Sequence, residues 1–88
     1  MLTPARLIEI RRLLGLAQEG MARLLSVSFA TVNRWENGHS SPTGTMLEVY
    51  RALDTALCAG KSARQILGTT PADPGRLLYR IFKVAYGE

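Results

Sequence analysis

An all-helical fold is what this sequence predicts, and three observations predict it. Apolar residues recur at three- and four-residue intervals in one stretch after another. Gly15, Gly38 and Gly60 fall where such stretches stop. No stretch reads convincingly as a strand. With 88 residues, the expectation is one domain with a thin core, little room for an enzyme's cavity and a use for help from a partner subunit. Hydrophobic residues make up 47% of the chain, which excludes a disordered tail as the main reading.

Six helices follow in order. Thr3 N-caps the first, with Pro4 at the position where a missing N–H costs nothing. Leu7, Ile10, Leu13 and Leu14 give that helix an apolar stripe, and Gly15 ends it. A second, short helix spans residues 18–25, with Met21, Ala22, Leu24 and Leu25 available for packing. Ser26 and Val27 form a turn, and Ser28 caps a third helix that runs to Asn37 and is closed by Gly38. After the polar loop of residues 39–42, a heavily apolar fourth helix spans residues 43–59. Thr45 and Glu48 have the spacing of a capping box, which would start it two residues later. Ser62 and Gln65 form another such pair and open a fifth helix ending near Leu67. Asp73 followed by Pro74 starts a sixth, to about Tyr86.

Composition narrows the function. Cys58 is the only cysteine and His39 the only histidine, so neither a disulfide nor a metal site is expected. Cys58, in an apolar helical run, reads as a buried, inert thiol. The net charge of +4 suits an acidic polymer, but the charges are not segregated along the chain, so placement has to supply the argument. No run approaches the length of a membrane span, and the start has no signal-peptide pattern. The expectation is a cytoplasmic protein with no cofactor and no membrane association. No carboxylate pair, nucleophile–base grouping or glycine-rich phosphate loop is visible, so an enzyme is not expected.

The second and third helices, joined by a three- or four-residue turn, make a helix-turn-helix pattern. Its packing requires a small residue where the helices cross, and Ala22 stands there. Val27, Val32 and Trp35 supply the apolar turn and inner face. With Val32 and Trp35 inward, the outer face carries Phe29, Ala30, Asn33, Arg34 and Asn37. Arg34 can donate two hydrogen bonds to guanine O6 and N7, and Phe29 and Ala30 can pack on thymine methyl groups. The alternative reading has Phe29 folded back against the second helix. Gln18 can reach a phosphate beside free N–H groups at a helix start, and His39, Ser40 and Ser41 can add contacts from the loop.

The segment from Leu7 to Pro42 resembles the Cro/C1-type helix-turn-helix family, also called the Xre family. The likeness rests on Arg11, Gly15-Leu16, Gln18, Ala22, Val27-Ser28, Trp35, Glu36-Asn37-Gly38 and Pro42 in that order, and it covers roughly residues 6–57. It implies a five-helix Cro/C1-like domain, here with an additional C-terminal helix, that binds double-stranded DNA as a two-fold dimer. By the same resemblance the base readers are Ser28, Phe29, Ala30 and Arg34 with Asn33 close by. Gln18 and Asn37 become phosphate anchors, and Arg11 and Glu36 form an internal ion pair. RNA suits such a helix less well, because the deep A-form groove excludes it.

This sequence departs from the family pattern at three places. Ala17 lacks a capping side chain, at a cost of about 1 kcal/mol. Ser26 replaces a turn glycine. Gly20 sits inside a helix, at a further cost of about 1 kcal/mol. The expected division is a DNA-binding domain at residues 1–60 and a helical extension at residues 61–88. On the extension, Leu77, Leu78, Ile81 and Phe82 are candidates for a homodimer interface, or else close the domain's own core. The leading expectation is a transcriptional regulator, most simply a repressor. The alternative is an antitoxin whose extension binds a toxin or other protein partner while the helix-turn-helix represses their promoter.

Overall fold

The helical stops predicted from glycine shape the chain path. In the computed structural model, which describes residues 2–68 and 74–87, six helices succeed one another. They are α1 (Pro4–Leu13), α2 (Gln18–Leu25), α3 (Phe29–Glu36), α4 (Gly44–Cys58), α5 (Ala63–Leu67) and α6 (Pro74–Tyr86). Thr3 caps α1 by accepting from the Arg6 N–H, and Pro4 is its first residue. After α1 the Leu16 N–H donates to the Arg11 carbonyl. His39 does the same to Arg34 after α3, and Lys61 to Ala56 after α4. This is the six-to-one bond of a Schellman ending, with Gly15, Gly38 and Gly60 at positive φ as the reversing residues.

The fourth such ending follows α2, where the Val27 N–H donates to the Ala22 carbonyl. Its reversing residue is Ser26, with φ 57° and ψ 41°, the one non-glycine residue at positive φ among those described. The turn that lacks its glycine therefore keeps the left-handed geometry.

α3 packs on α1 and α2, and α4 on α1 and α6; α6 also meets α5 and α2. The core is drawn from every helix: Leu7, Ile10 and Leu14; Met21, Ala22, Leu24 and Leu25; Val32 and Trp35; Val49 to Ala56 on one side of α4; Ile66; and Ile81. Leu77, Leu78, Phe82, Val84 and Ala85 are partly buried against it. The extension is thus built into the same core as the helix-turn-helix. Arg6 ties α1 to α4 through Asp54 at 2.6 Å and also bonds Glu9 at 2.7 Å. The hydrogen bonds to Glu9 and then Asp54 push the guanidinium further toward its charged form.

Three sequence expectations change. Leu13 is 51% exposed, because the stripe runs through Leu7, Ile10 and Leu14 and the helical turn carries position 13 off it. α4 begins at Gly44 with Thr43 as an N-cap that makes no side-chain bond, so the Thr45–Glu48 capping box is not formed. Glu48 instead faces Arg51 at 3.4 Å. Cys58 is exposed rather than buried: as the last residue of α4 it faces outward beside Arg6, whose Nη2 lies 3.5 Å from its sulfur. The Ser62–Gln65 capping box does form, with both reciprocal bonds present. Asp73, expected to start the last helix, lies outside the described residues.

Candidate nucleic-acid interface

α3 is anchored from one side. Val32 has no exposed surface and Trp35 is 7% exposed. The indole meets the Tyr50 ring edge-on, with centroids 5.9 Å apart and planes at 81°, a favoured aromatic geometry. Ala22, 5% exposed, supplies the small contact surface on α2. Once this side is committed, helical periodicity turns Phe29, Ala30, Arg34 and Asn37 to solvent. Phe29 is 49% exposed, so it does not fold back into a gap beside α2.

Ser28 works as the cap of α3. Its hydroxyl accepts from the Thr31 N–H at 3.1 Å and shares a 2.8 Å hydrogen bond with the Thr31 hydroxyl. In the loop after α3, His39 and Ser41 are exposed and Ser40 is half-buried. Across the start of α2, Ala17 caps with no side-chain hydrogen bond, which leaves its first N–H groups without intrahelical acceptors.

A polar ladder links these pieces. The Arg11 guanidinium donates to both Glu36 carboxylate oxygens, at 2.7 and 3.1 Å, and to the Leu16 carbonyl at 2.9 Å. Glu36 is the buried charged residue of the core, with its side chain 2% exposed. Gln18 donates its amide to Glu36 Oε1 at 2.9 Å, and its own carbonyl oxygen accepts from Asn33 at 3.3 Å. Asn33 in turn accepts from the Asn37 amide at 2.9 Å. A desolvated charge is tolerated when its lone pairs are satisfied, and here Arg11 and Gln18 satisfy them. The amide of Gln18 uses one proton on Glu36 and keeps a second for an outside acceptor.

Sequence reasoning paired Arg11 with Glu36 but missed that Gln18 and Asn33 continue the chain. Asn33 was grouped with the base readers, whereas it is half-buried and bonded to Gln18 and Asn37. The available signal was three amides on facing positions of adjacent helix starts and ends. On the extension, Ile81 is wholly buried within the chain, so its surface is spent inside the domain; Leu77, Leu78 and Phe82 keep part of theirs.

Among the described residues no three His, Cys, Asp or Glu side chains are grouped to hold a metal ion, and no helix is long and apolar enough to cross a membrane. Residues 7–50 match the family model described as helix-turn-helix. No curated protein and no solved structure matches the chain.

Proposed function

The chain belongs to the Cro/C1-type helix-turn-helix family, a family of DNA-binding regulators, and from that premise we propose that it is a sequence-specific transcriptional repressor reading the major groove with α3. The observation that carries this reading is the outward pairing of Phe29 with Arg34 on a helix whose other side is locked by Val32 and Trp35. Arg34 reads guanine through a two-pronged hydrogen bond, and Phe29 and Ala30 pack on thymine methyl groups. Ser28 sets the pitch at which α3 enters, and Asn33 steadies the reading face through Gln18.

Gln18, Asn37 and the loop residues His39, Ser40 and Ser41 hold phosphates, with the uncapped start of α2 adding backbone N–H donors. The DNA-binding unit is assigned to residues 1–60 and the helical extension to residues 61–88. Two copies bind a palindromic site, held together along the partly exposed flank of α6 that carries Leu78 and Phe82. A second reading, in which the extension captures a protein as an antitoxin does, draws support from the exposed cationic and aromatic side of α6.

Selection of bound sequences from a random duplex library tests the main reading and returns the half-site spacing. On the selected site, Arg34→Ala relaxes preference at one base pair, at a cost of about 1–3 kcal/mol. Gln18→Ala weakens all duplexes alike. Equal losses from Arg34→Ala on selected and random DNA refute the assignment of Arg34.

A further inference from the structure

The polar ladder across α2 and α3 has a fixed direction. A carboxylate only accepts hydrogen bonds, so Gln18 must present its amide nitrogen to Glu36, as it does at 2.9 Å. Its oxygen is thereby given to Asn33, whose nitrogen donates to it at 3.3 Å. The Asn33 oxygen is left for Asn37, whose nitrogen donates at 2.9 Å. One buried charge therefore sets the orientation of three amides in succession. Gln18, Asn33 and Asn37 each keep one amide proton that no described group accepts.

Asn33 is the middle member and is held from both sides. Asn37 lies one helical turn on, and besides the side-chain bond its backbone N–H donates to the Asn33 carbonyl at 3.0 Å. Asn33 is half-buried, with Gln18 half-buried at the start of α2 and Asn37 exposed at the end of α3. An asparagine reads adenine by offering its oxygen and its nitrogen together to N6 and N7. Here those two atoms already serve Asn37 and Gln18.

We propose that Asn33 is a positioning residue and not a base reader: it couples Gln18 and Asn37 into one phosphate-binding row, so that both engage the duplex backbone as a unit. The proposal rests on the reading of Gln18 and Asn37 as phosphate anchors. A neutral side chain that grips a phosphate loses rotameric freedom on binding. Tying both anchors to Asn33 removes that freedom before the duplex arrives. Glu36 adds direction, because a flipped Gln18 would set oxygen against oxygen.

The test uses the whole chain, with a duplex selected from a random library and an unselected one. Asn33→Ala should weaken both by about tenfold, with the preference at every base pair unchanged. A double-mutant cycle carries the decision. In the native background, Gln18→Ala with Asn37→Ala should cost less than the product of the separate losses, by about threefold or more, since losing either anchor loosens the other. In the Asn33→Ala background the two losses should multiply independently. A residue that only supports the fold would move denaturant melts and leave that coupling in place. In the free protein, Asn33→Ala should shift the side-chain amide resonances of Gln18 and Asn37 together. Asn33→Asp, matched in shape but with no amide to donate, should shift that of Gln18 as well.

Relaxed preference at one base pair in Asn33→Ala would make Asn33 a base reader and overturn the proposal. So would independent losses in the native background, coupling that survives Asn33→Ala, or unmoved amide resonances; in these cases the anchors themselves stand. If neither Gln18→Ala nor Asn37→Ala weakens binding, or no duplex is selected, the anchor reading falls and this proposal with it.

Discussion

Tyr50 shows how much a single buried group decides. It has no exposed surface, its ring supports Trp35, and its hydroxyl has no hydrogen-bond partner among the described residues. Burial first, and the charge of Glu36 second, push that hydroxyl above its ordinary value of about 10, against an opposing effect of Arg11. Because folding raises the pKa of this hydroxyl, stability keeps its full value while the group is protonated in both states and is lost as pH climbs from the unfolded value toward the folded one. Stability should therefore fall above about pH 10, and Tyr50→Phe should abolish the fall. At neutral pH the same substitution should be neutral or stabilising by about 1 kcal/mol, since it removes an unsatisfied buried group and keeps the ring. Urea melts of both proteins at neutral and alkaline pH check this; a clear loss at neutral pH would mean that the hydroxyl is satisfied. Ser26 makes the opposite case, a residue in a conformation that glycine adopts without strain. Ser26→Gly should raise stability by about 0.5–1 kcal/mol in the same melts, less any entropy gained by the unfolded chain. A net loss of stability would show that the serine is not strained there.

At the scale of elements, the sequence shows most of the fold because local rules and packing agree. Thr3, Ser28 and Ser62 cap where they were expected to, and the glycines close helices. What was not legible depended on distant contacts. Leu13 and Cys58 look apolar in sequence but are turned outward by helix phase and by the end of α4. The tie between Gln18 and Glu36 spans 18 positions, beyond any periodic signal. That tie makes a prediction about α1, α2 and α3 together. Arg11→Ala strands the Glu36 carboxylate in the core and should cost about 3–5 kcal/mol. Replacing both, Arg11→Met with Glu36→Leu, should cost far less, because no charge is left buried. Yet the double variant still removes the acceptor that orients Gln18, so its affinity for every duplex should drop while its base preference is kept. Denaturant melts and binding isotherms on both variants separate these effects. A double variant that is stable and binds DNA normally would show that the ladder only supports the fold.

At the scale of the whole molecule, each of the described helices contributes buried residues to one core. A chain of this size is typically stable by about 5–15 kcal/mol, and its core draws on all six helices, with Ile66 and Ile81 as buried as any residue of the helix-turn-helix. The extension is separable by composition, since residues 61–88 follow a glycine stop and carry their own capping box, but its burial makes it a wall of the same core. Because α6 packs on α4 and α2, loosening it removes support from the helix behind Trp35 and from the helix that α3 crosses. Ile81→Ala should therefore lower stability by about 2–5 kcal/mol in one cooperative transition, with fluorescence from Trp35 and helical circular dichroism lost together. Well below the new midpoint, duplex affinity should be unchanged, since Ile81 lies inside the fold and away from the reading face. Two separate transitions, with helix lost before the indole signal moves, would instead mark α6 as an independently melting arm. In that case α6 would influence α3, the proposed reading helix, only through a tether, whereas a shared core allows a change at α6 to be felt as stability at α3.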